Sequence, residues 1–258
     1  MKRTLIAIPL LAAVLLCGAS AVAFADNRDD FLAGKTNDCP KCNLDGVDIK
    51  YRDLGGANLA GADLDGANMH RVNLANANLS GATIMQANLN KTVLRNANLS
   101  GVDLTDSLIY GADASGVNLT GANLTRAYAG AIRLINAKLM GANLTRTDFG
   151  DGTLNDANLS GATVDDMNFA NAHLNRANLQ GIVGERAFFN KADLDSANLS
   201  GAKLAFSVFQ NTNLRGADLT GADLSSTYLL GANLFEADTA GAVFAGALLP
   251  DNTVQPQQ

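Results

Sequence analysis

Cys39-Pro40-Lys41-Cys42 is a CxxC, a spacing that serves metal ligation and thiol exchange. Zinc would need two more ligands, and the chain offers only Cys17 and two isolated histidines, His70 and His173. The flanking residues show no strand-to-helix junction of the thioredoxin kind. Carboxylates cluster twice, at Asp38, Asp45, Asp48, Asp53, Asp63 and Asp65 and again at Asp148, Asp151, Asp156, Asp165 and Asp166. Paired carboxylates can work as general acid and base or hold calcium. Tyr110, Tyr128 and Tyr228 are of the type that anchors a partner, and each is equally explained as an ordinary exposed or corner residue. Whether any of these groups can act depends on the elements that hold them.

Those elements are written in a repeat. From Cys42 the chain divides into fives without remainder, CNLDG, VDIKY, RDLGG, ANLAG and onward to ALLPD at 247–251, forty-two units in all. The central residue is nearly always large and apolar, as at Leu44, Leu99, Leu159 and Leu234, and the residue two before it is usually alanine. On an α-helix a period of five would carry these side chains round every face. A flat strand alternates with period two, so it fails as well. The chain must turn at every unit.

A second period closes the turn. Gly61, Gly81, Gly101, Gly121, Gly141, Gly161, Gly181, Gly201, Gly221 and Gly241 recur every twentieth residue, and Phe149, Phe169, Phe189 and Phe209 share the same spacing. Four units per coil stack like on like, so the phenylalanines form one internal column and the glycines one corner. The corner needs either a positive φ or the absence of a Cβ, and spacing does not choose between them. At roughly 4.8 Å per coil the rod would stand roughly 50 Å high.

The units resemble the pentapeptide-repeat family, whose signature of Ala, Asp or Asn, Leu and two variable residues is seen at Ala57-Asn58-Leu59, Ala62-Asp63-Leu64, Ala157-Asn158-Leu159 and Ala217-Asp218-Leu219. The resemblance implies an all-β fold, a right-handed quadrilateral parallel β-helix of about ten coils over 42–251, with the central and the small residue inward. Local departures are Gly184, Ala114, Ala129 and Thr239 at central positions, with Ile132, Ile182 and Met167 enlarged in the neighbouring inward column. They read as volume exchange in a thin core, with a bulge or binding notch at Gly184 the alternative. Extending the register backwards places Cys39 at a central position and Cys42 at a small inward one. In an exported protein that favours a disulfide pinning the N-terminal cap, over buried free thiols and over redox or metal chemistry.

Residues 1–25 have a basic start at Lys2 and Arg3, an apolar run from Leu5 to Leu16 and small residues up to Ala25, the layout of a signal peptide cleaved before Asp26. The alternatives are an uncleaved membrane anchor and a lipoprotein at Cys17, the latter disfavoured by bulky Leu16. Cleavage would change the formal charge from −6 to −8, with 17 basic and 25 acidic residues left. Such a balance disfavours anionic lipid and nucleic acid as partners, and no membrane contact is expected after cleavage. Periplasm is the first expectation for compartment, ahead of thylakoid lumen and extracellular space.

Residues 26–41 are expected to cap the first coil through Phe31 and Leu32, in a short helix at best within Asp29 to Thr36. Residues 252–258 read as a disordered polar tail. The last coil then has an unprotected edge, where a second copy would meet it as a homodimer. Aspartate is a solvent-facing repeat residue on a rod too thin for a deep pocket, so neither catalysis nor a cofactor is expected. The functional expectation is an exported noncatalytic structural or protein-interaction scaffold with a protein partner. Some family members resemble DNA and inhibit gyrase, so a DNA-mimicking modulator is the alternative, set against the export signal.

Overall fold

The structure is a computed structural model that describes residues 27–256; the segment read as a signal peptide lies outside the described residues, as do residues 257–258. One helix, α1 (27–32), precedes a quadrilateral parallel β-helix whose walls are single-residue parallel bridges at a constant step of twenty, from Asn43↔Asp63 to Tyr228↔Leu248. We number the walls by their central residues: wall 1 from Leu44 to Phe244, wall 2 from Ile49 to Leu249, wall 3 from Leu54 to Leu234 and wall 4 from Cys39 to Thr239.

The five-residue unit follows from hydrogen-bond demand. In Ala97-Asn98-Leu99-Ser100-Gly101 every backbone N–H is used: Ala97 donates to Leu94 O (3.0 Å), Asn98 to Ala77 O (2.8 Å), Leu99 to Asn118 O (2.7 Å) and Gly101 to Thr120 O (3.0 Å). The remaining N–H, that of Ser100, donates to Asn98 Oδ1 at 3.2 Å. Asn or Asp before the central residue therefore satisfies the one amide that the coil-to-coil ladder leaves over. Its amide nitrogen then reaches the preceding coil, so Asn78, Asn98 and Asn118 each donate to the asparagine twenty residues earlier, at 3.4, 3.1 and 3.1 Å.

Every corner from Lys41 to Gly246 has its last residue at positive φ, glycine or not: Gly141 at 62°, Arg126 at 59°, Asn136 at 57° and Phe206 at 62°. With the bond from Ala142 N–H to Leu139 O at 3.1 Å, this is the signature of a type II turn. At eight of the ten corner glycines, Gly81 through Gly221, a Cβ would meet nothing within 4 Å, so the requirement is conformational and not one of room.

Central and small residues fill the interior, and Phe149, Phe169, Phe189 and Phe209 are fully buried. Their rings stack at 5.9, 5.1 and 4.7 Å, and the interplanar angle falls from 40° to 4° toward the C-terminus. Undersized Ala114 and Ala129 are buried beside a buried Ile132. At Gly184 an added Cβ would lie 2.6 Å from the Val164 carbonyl carbon and 2.7 Å from Asp165 N. The strand has settled against the coil beneath it, and the amide of Ala187, which would otherwise close the corner, donates to Ser207 Oγ at 3.1 Å.

The ends are closed differently. At the N-terminus Phe31 of α1 is buried on the first coil, Arg52 lays its guanidinium 4.4 Å over the Phe31 ring, and Arg28 Nε donates to Asn43 O at 2.7 Å. The coil geometry starts one unit before Cys42, since Cys39 N–H donates to Asn58 O and Lys41 N–H to Ala60 O, both at 2.9 Å. At the C-terminus the expectation of a disordered tail is corrected for residues 252–256. Val254 bridges Leu248 antiparallel, and Gly246 N–H and Gln255 N–H exchange bonds with Gln255 O and Ala247 O at 3.0 Å. Asp251 drives the reversal, accepting from Thr253 N–H and Oγ1 at 3.0 and 2.6 Å, so a polar segment gains the backbone partners that wall 2 would lack.

Candidate interaction surfaces

Cys39 and Cys42 form a disulfide, with the sulfurs 1.98 Å and the Cα atoms 5.4 Å apart. Both side chains are buried, so the bridge is shielded from a second thiolate and its chemistry is structural. It closes the Lys41 corner at the very start of the first coil, next to the capping segment.

Nine of the eleven clustered carboxylates are occupied by the fold, Asp45 and Asp151 being the exceptions. Asp38 accepts from Asn58 N–H at 2.7 Å, Asp53 from Gly55 N–H and Asn73 Nδ2 at 3.1 and 2.8 Å, and Asp65 from Met85 N–H at 2.8 Å. In the second cluster Asp148 accepts from Gly150 N–H and Asn168 Nδ2 at 2.9 and 2.7 Å, and Asp165 from Glu185 N–H at 2.9 Å. Among the described residues no group of three or more His, Cys, Asp or Glu side chains is placed to hold a metal ion.

Corner residues add ionic ladders at the same twenty-residue step. Arg126 grips Asp106 with two bonds of 2.6 Å, Arg176 grips Asp156 at 2.8 and 2.7 Å, and Arg186 reaches Asp166 at 2.8 Å, with Arg146 on its other side at 3.5 Å. Each arginine's hydrogen bond holds its aspartate below the usual carboxylate range.

His70 and His173 lie on different walls. His70 meets the Tyr51 ring edge-on at 5.9 Å, and His173 is a bridge residue between Thr153 and Asp193. The tyrosines do share a wall: Tyr110 and Tyr128 stack at 5.8 Å on wall 2, and Tyr228 lies further along it. Leu108, Phe188, Val208 and Leu248 join them, in bridge positions that wall 2 elsewhere fills with Asp48, Asn68, Asn88, Asp148 and Asn168. This apolar column escapes a reading confined to the inward positions, but following the residue before the centre at steps of twenty reveals it.

Concavities are shallow. One of about 440 Å³ lies at the C-terminal end between Ala242, Phe244 and Pro256, and one of about 290 Å³ lies outside Gly184, bordered by Asp165, Glu185, Lys203 and Asp223.

The family described as Pentapeptide repeats matches in eight copies over residues 42–81, 87–126, 119–156, 153–183, 185–205 and 202–238. No curated protein sequence matches the chain. Among solved structures, HetL, a pentapeptide repeat protein involved in heterocyst differentiation regulation from the cyanobacterium Nostoc sp. strain PCC 7120, is 28% identical with a TM-score of 0.52, over 88% of this chain and 97% of HetL. Rfr23 from the cyanobacterium Cyanothece 51142 is 27% identical with a TM-score of 0.30, over 52% of this chain and 97% of Rfr23. QnrB1, a plasmid-mediated fluoroquinolone resistance protein, is 17% identical with a TM-score of 0.34, over 79% of this chain and 91% of QnrB1. The unbroken five-residue register, the coil of twenty, the family match and the likeness to HetL together show that the chain is a member of the pentapeptide repeat family and a right-handed quadrilateral β-helix.

Proposed function

We propose that this protein is an exported, noncatalytic scaffold that binds a protein partner through its outer walls. One observation carries the reading: the inward columns are filled by packed side chains and most of the clustered carboxylates are held by backbone amides and neighbouring side chains, so recognition falls to the outward positions. The signal-like residues 1–25 supply the export element, with the periplasm as first compartment. HetL, a pentapeptide repeat protein similar over most of this chain, is involved in heterocyst differentiation regulation, which agrees with a role in binding.

The DNA-mimicking alternative draws on the acidic balance. It is disfavoured because Asp106, Asp156 and Asp166 are paired with Arg126, Arg176 and Arg186, which interrupts the anionic edge that mimicry of a phosphate backbone requires. Self-association through the last coil belongs to the proposal, since Leu234, Ala237 and Phe244 there are only partly buried.

Localisation of the native protein and recovery of its partner test the reading. Intact mass should show loss of residues 1–25 and a deficit of about 2 Da for the bridged cysteines. An exported partner whose binding is lost on substitution along one wall is the expected result. A cytoplasmic complex with gyrase overturns it.

A further inference from the structure

Wall 2 is apolar on both sides over much of its length. Inside stand the stacked phenylalanines; outside, Phe188, Val208, Tyr228, Leu248 and Val254 follow one another through consecutive bridges. A second outer group, Leu108, Tyr110 and Tyr128, lies toward the N-terminus. Leu108, Tyr110, Tyr128 and Phe188 are each 42–47% exposed, Phe206 at the adjoining corner 55%, and Val254 64%.

These residues are costly in an isolated rod. Asn or Asp at the same position caps an amide and extends the side-chain ladder, as Asn98 does, whereas Leu, Phe and Val have no acceptor to offer. Replacing them gives up the side-chain ladder and, except at Tyr110, whose N–H donates to Asn90 Oδ1 at 2.8 Å, the amide cap, and it leaves apolar surface in water, a combination that a covering surface resolves. A sheet apolar on both faces is the pattern of a sheet covered on both faces.

The geometry points to a second copy of this chain, packed wall 2 to wall 2 with the rods antiparallel about a two-fold axis between the rungs of Asp148 and Asn168. That axis is the one that brings the two outer groups against each other. It sets Tyr128 against Phe188 of the second copy and Leu108 against Val208, the same pairs recur on the other side of the axis, and Tyr228 and Leu248 lie further out against Asn88 and Asn68, with Tyr110 against Gln210. A parallel pair would instead set Phe188 against Asn190 and Val208 against Gln210. The centre is polar and low: Asp148 faces Asn168, and Gly150 faces Ala170, so the walls can approach.

Charge at the centre agrees with this arrangement; further out Arg126 meets Arg186 of the other copy, each already neutralised by its own Asp106 or Asp166. Arg146 sits at the corner beside Asp148 and holds Asp166 at only 3.5 Å, while Arg186 holds the same carboxylate at 2.8 Å. The two-fold brings each Arg146 opposite Asp166 of the other copy, giving two ion pairs across the edge. The overlap runs roughly 45 Å along the rods and 10 Å across, or roughly 900 Å² in all. With corner side chains added, that reaches the roughly 1,000 Å² of a small specific interface, so a reversible dimer is expected.

Cysteine trapping tests the contact on the full chain carrying Cys17→Ser. Leu108→Cys with Val208→Cys places the thiols five rungs apart in one chain, about 24 Å, far beyond the roughly 7 Å between Cα atoms that a disulfide spans. Oxidation should convert this double variant to a covalent dimer and leave each single variant unlinked. Without added cysteines, Phe188→Lys should shift the sedimentation boundary from dimer to monomer, with the circular dichroism unchanged. A double variant that stays monomeric on oxidation, or a dimer indifferent to Phe188→Lys, overturns the inference. A dimer held only by the last coil gives that second result, so the two modes of association are told apart.

Discussion

Two glycines on the rod exist for opposite reasons, and alanine substitution separates them. Gly141 has φ 62° and open space where a Cβ would go. Gly141→Ala therefore incurs only the left-handed backbone penalty, about 1–2 kcal/mol. Glycine's greater freedom in the unfolded chain offsets about 0.5–1 kcal/mol of that, leaving a net loss of up to about 1.5 kcal/mol. Gly141→Asn should cost less still, because asparagine occupies the same conformation at Asn76, Asn96 and Asn136. Gly184 has no positive φ, yet its Cβ would lie 2.6 and 2.7 Å from the backbone of Val164 and Asp165, which cannot swing aside as a side chain can. Gly184→Ala must push two coils apart, a strain of about 1–3 kcal/mol or more. Urea unfolding followed by circular dichroism gives the global loss, and limited proteolysis between Val183 and Ala187 reports local opening, since nearest-neighbour repeats can open locally. The expected order of loss is Gly184→Ala, then Gly141→Ala, then Gly141→Asn. A Gly141→Ala loss equal to that of Gly184→Ala, or Asn worse than Ala at 141, would refute both explanations.

Leu159→Asn, which places a polar group in the fully buried wall 4 column, should cost several kcal/mol by chemical denaturation, on the order of 3, whereas Ser160→Asn should stay within about 0.5. The arginine bonds that lower the folded-state pKa of Asp106, Asp156 and Asp166 contribute stability fully above the ordinary carboxylate range. That contribution is lost as pH falls through the depressed values. The urea midpoint should thus decline below about pH 4, less steeply in Arg126→Gln with Arg176→Gln. Reducing the Cys39–Cys42 bridge removes a short closed loop and should destabilise the capped end by about 2 kcal/mol, seen as earlier protease cleavage near α1 with the C-terminal coils unaffected.

The period of five and the period of twenty are properties of the chain itself. They determined that it must turn at each unit, that Phe149 to Phe209 share a column and that the glycines share a corner, because a solenoid maps sequence spacing directly onto spatial neighbours. The internal position of Cys39 and Cys42 follows from the same register. Tertiary structure decided what spacing leaves degenerate. Conformation and room both demand glycine, and only the backbone angle and the empty space at Gly141 separate them. Polar residues 252–256 carry no apolar pattern, yet they pair with Leu248 because an exposed strand edge offers backbone partners to any sequence long enough to fold back. Tyr110, Tyr128 and Tyr228 were legible as anchors singly, but their gathering with Leu108, Phe188 and Val208 on one outer wall became visible once the coils were stacked. Inward positions are constrained by packing and repeat faithfully; outward ones are freer to vary, so their meaning lies in which of them the stacking brings together.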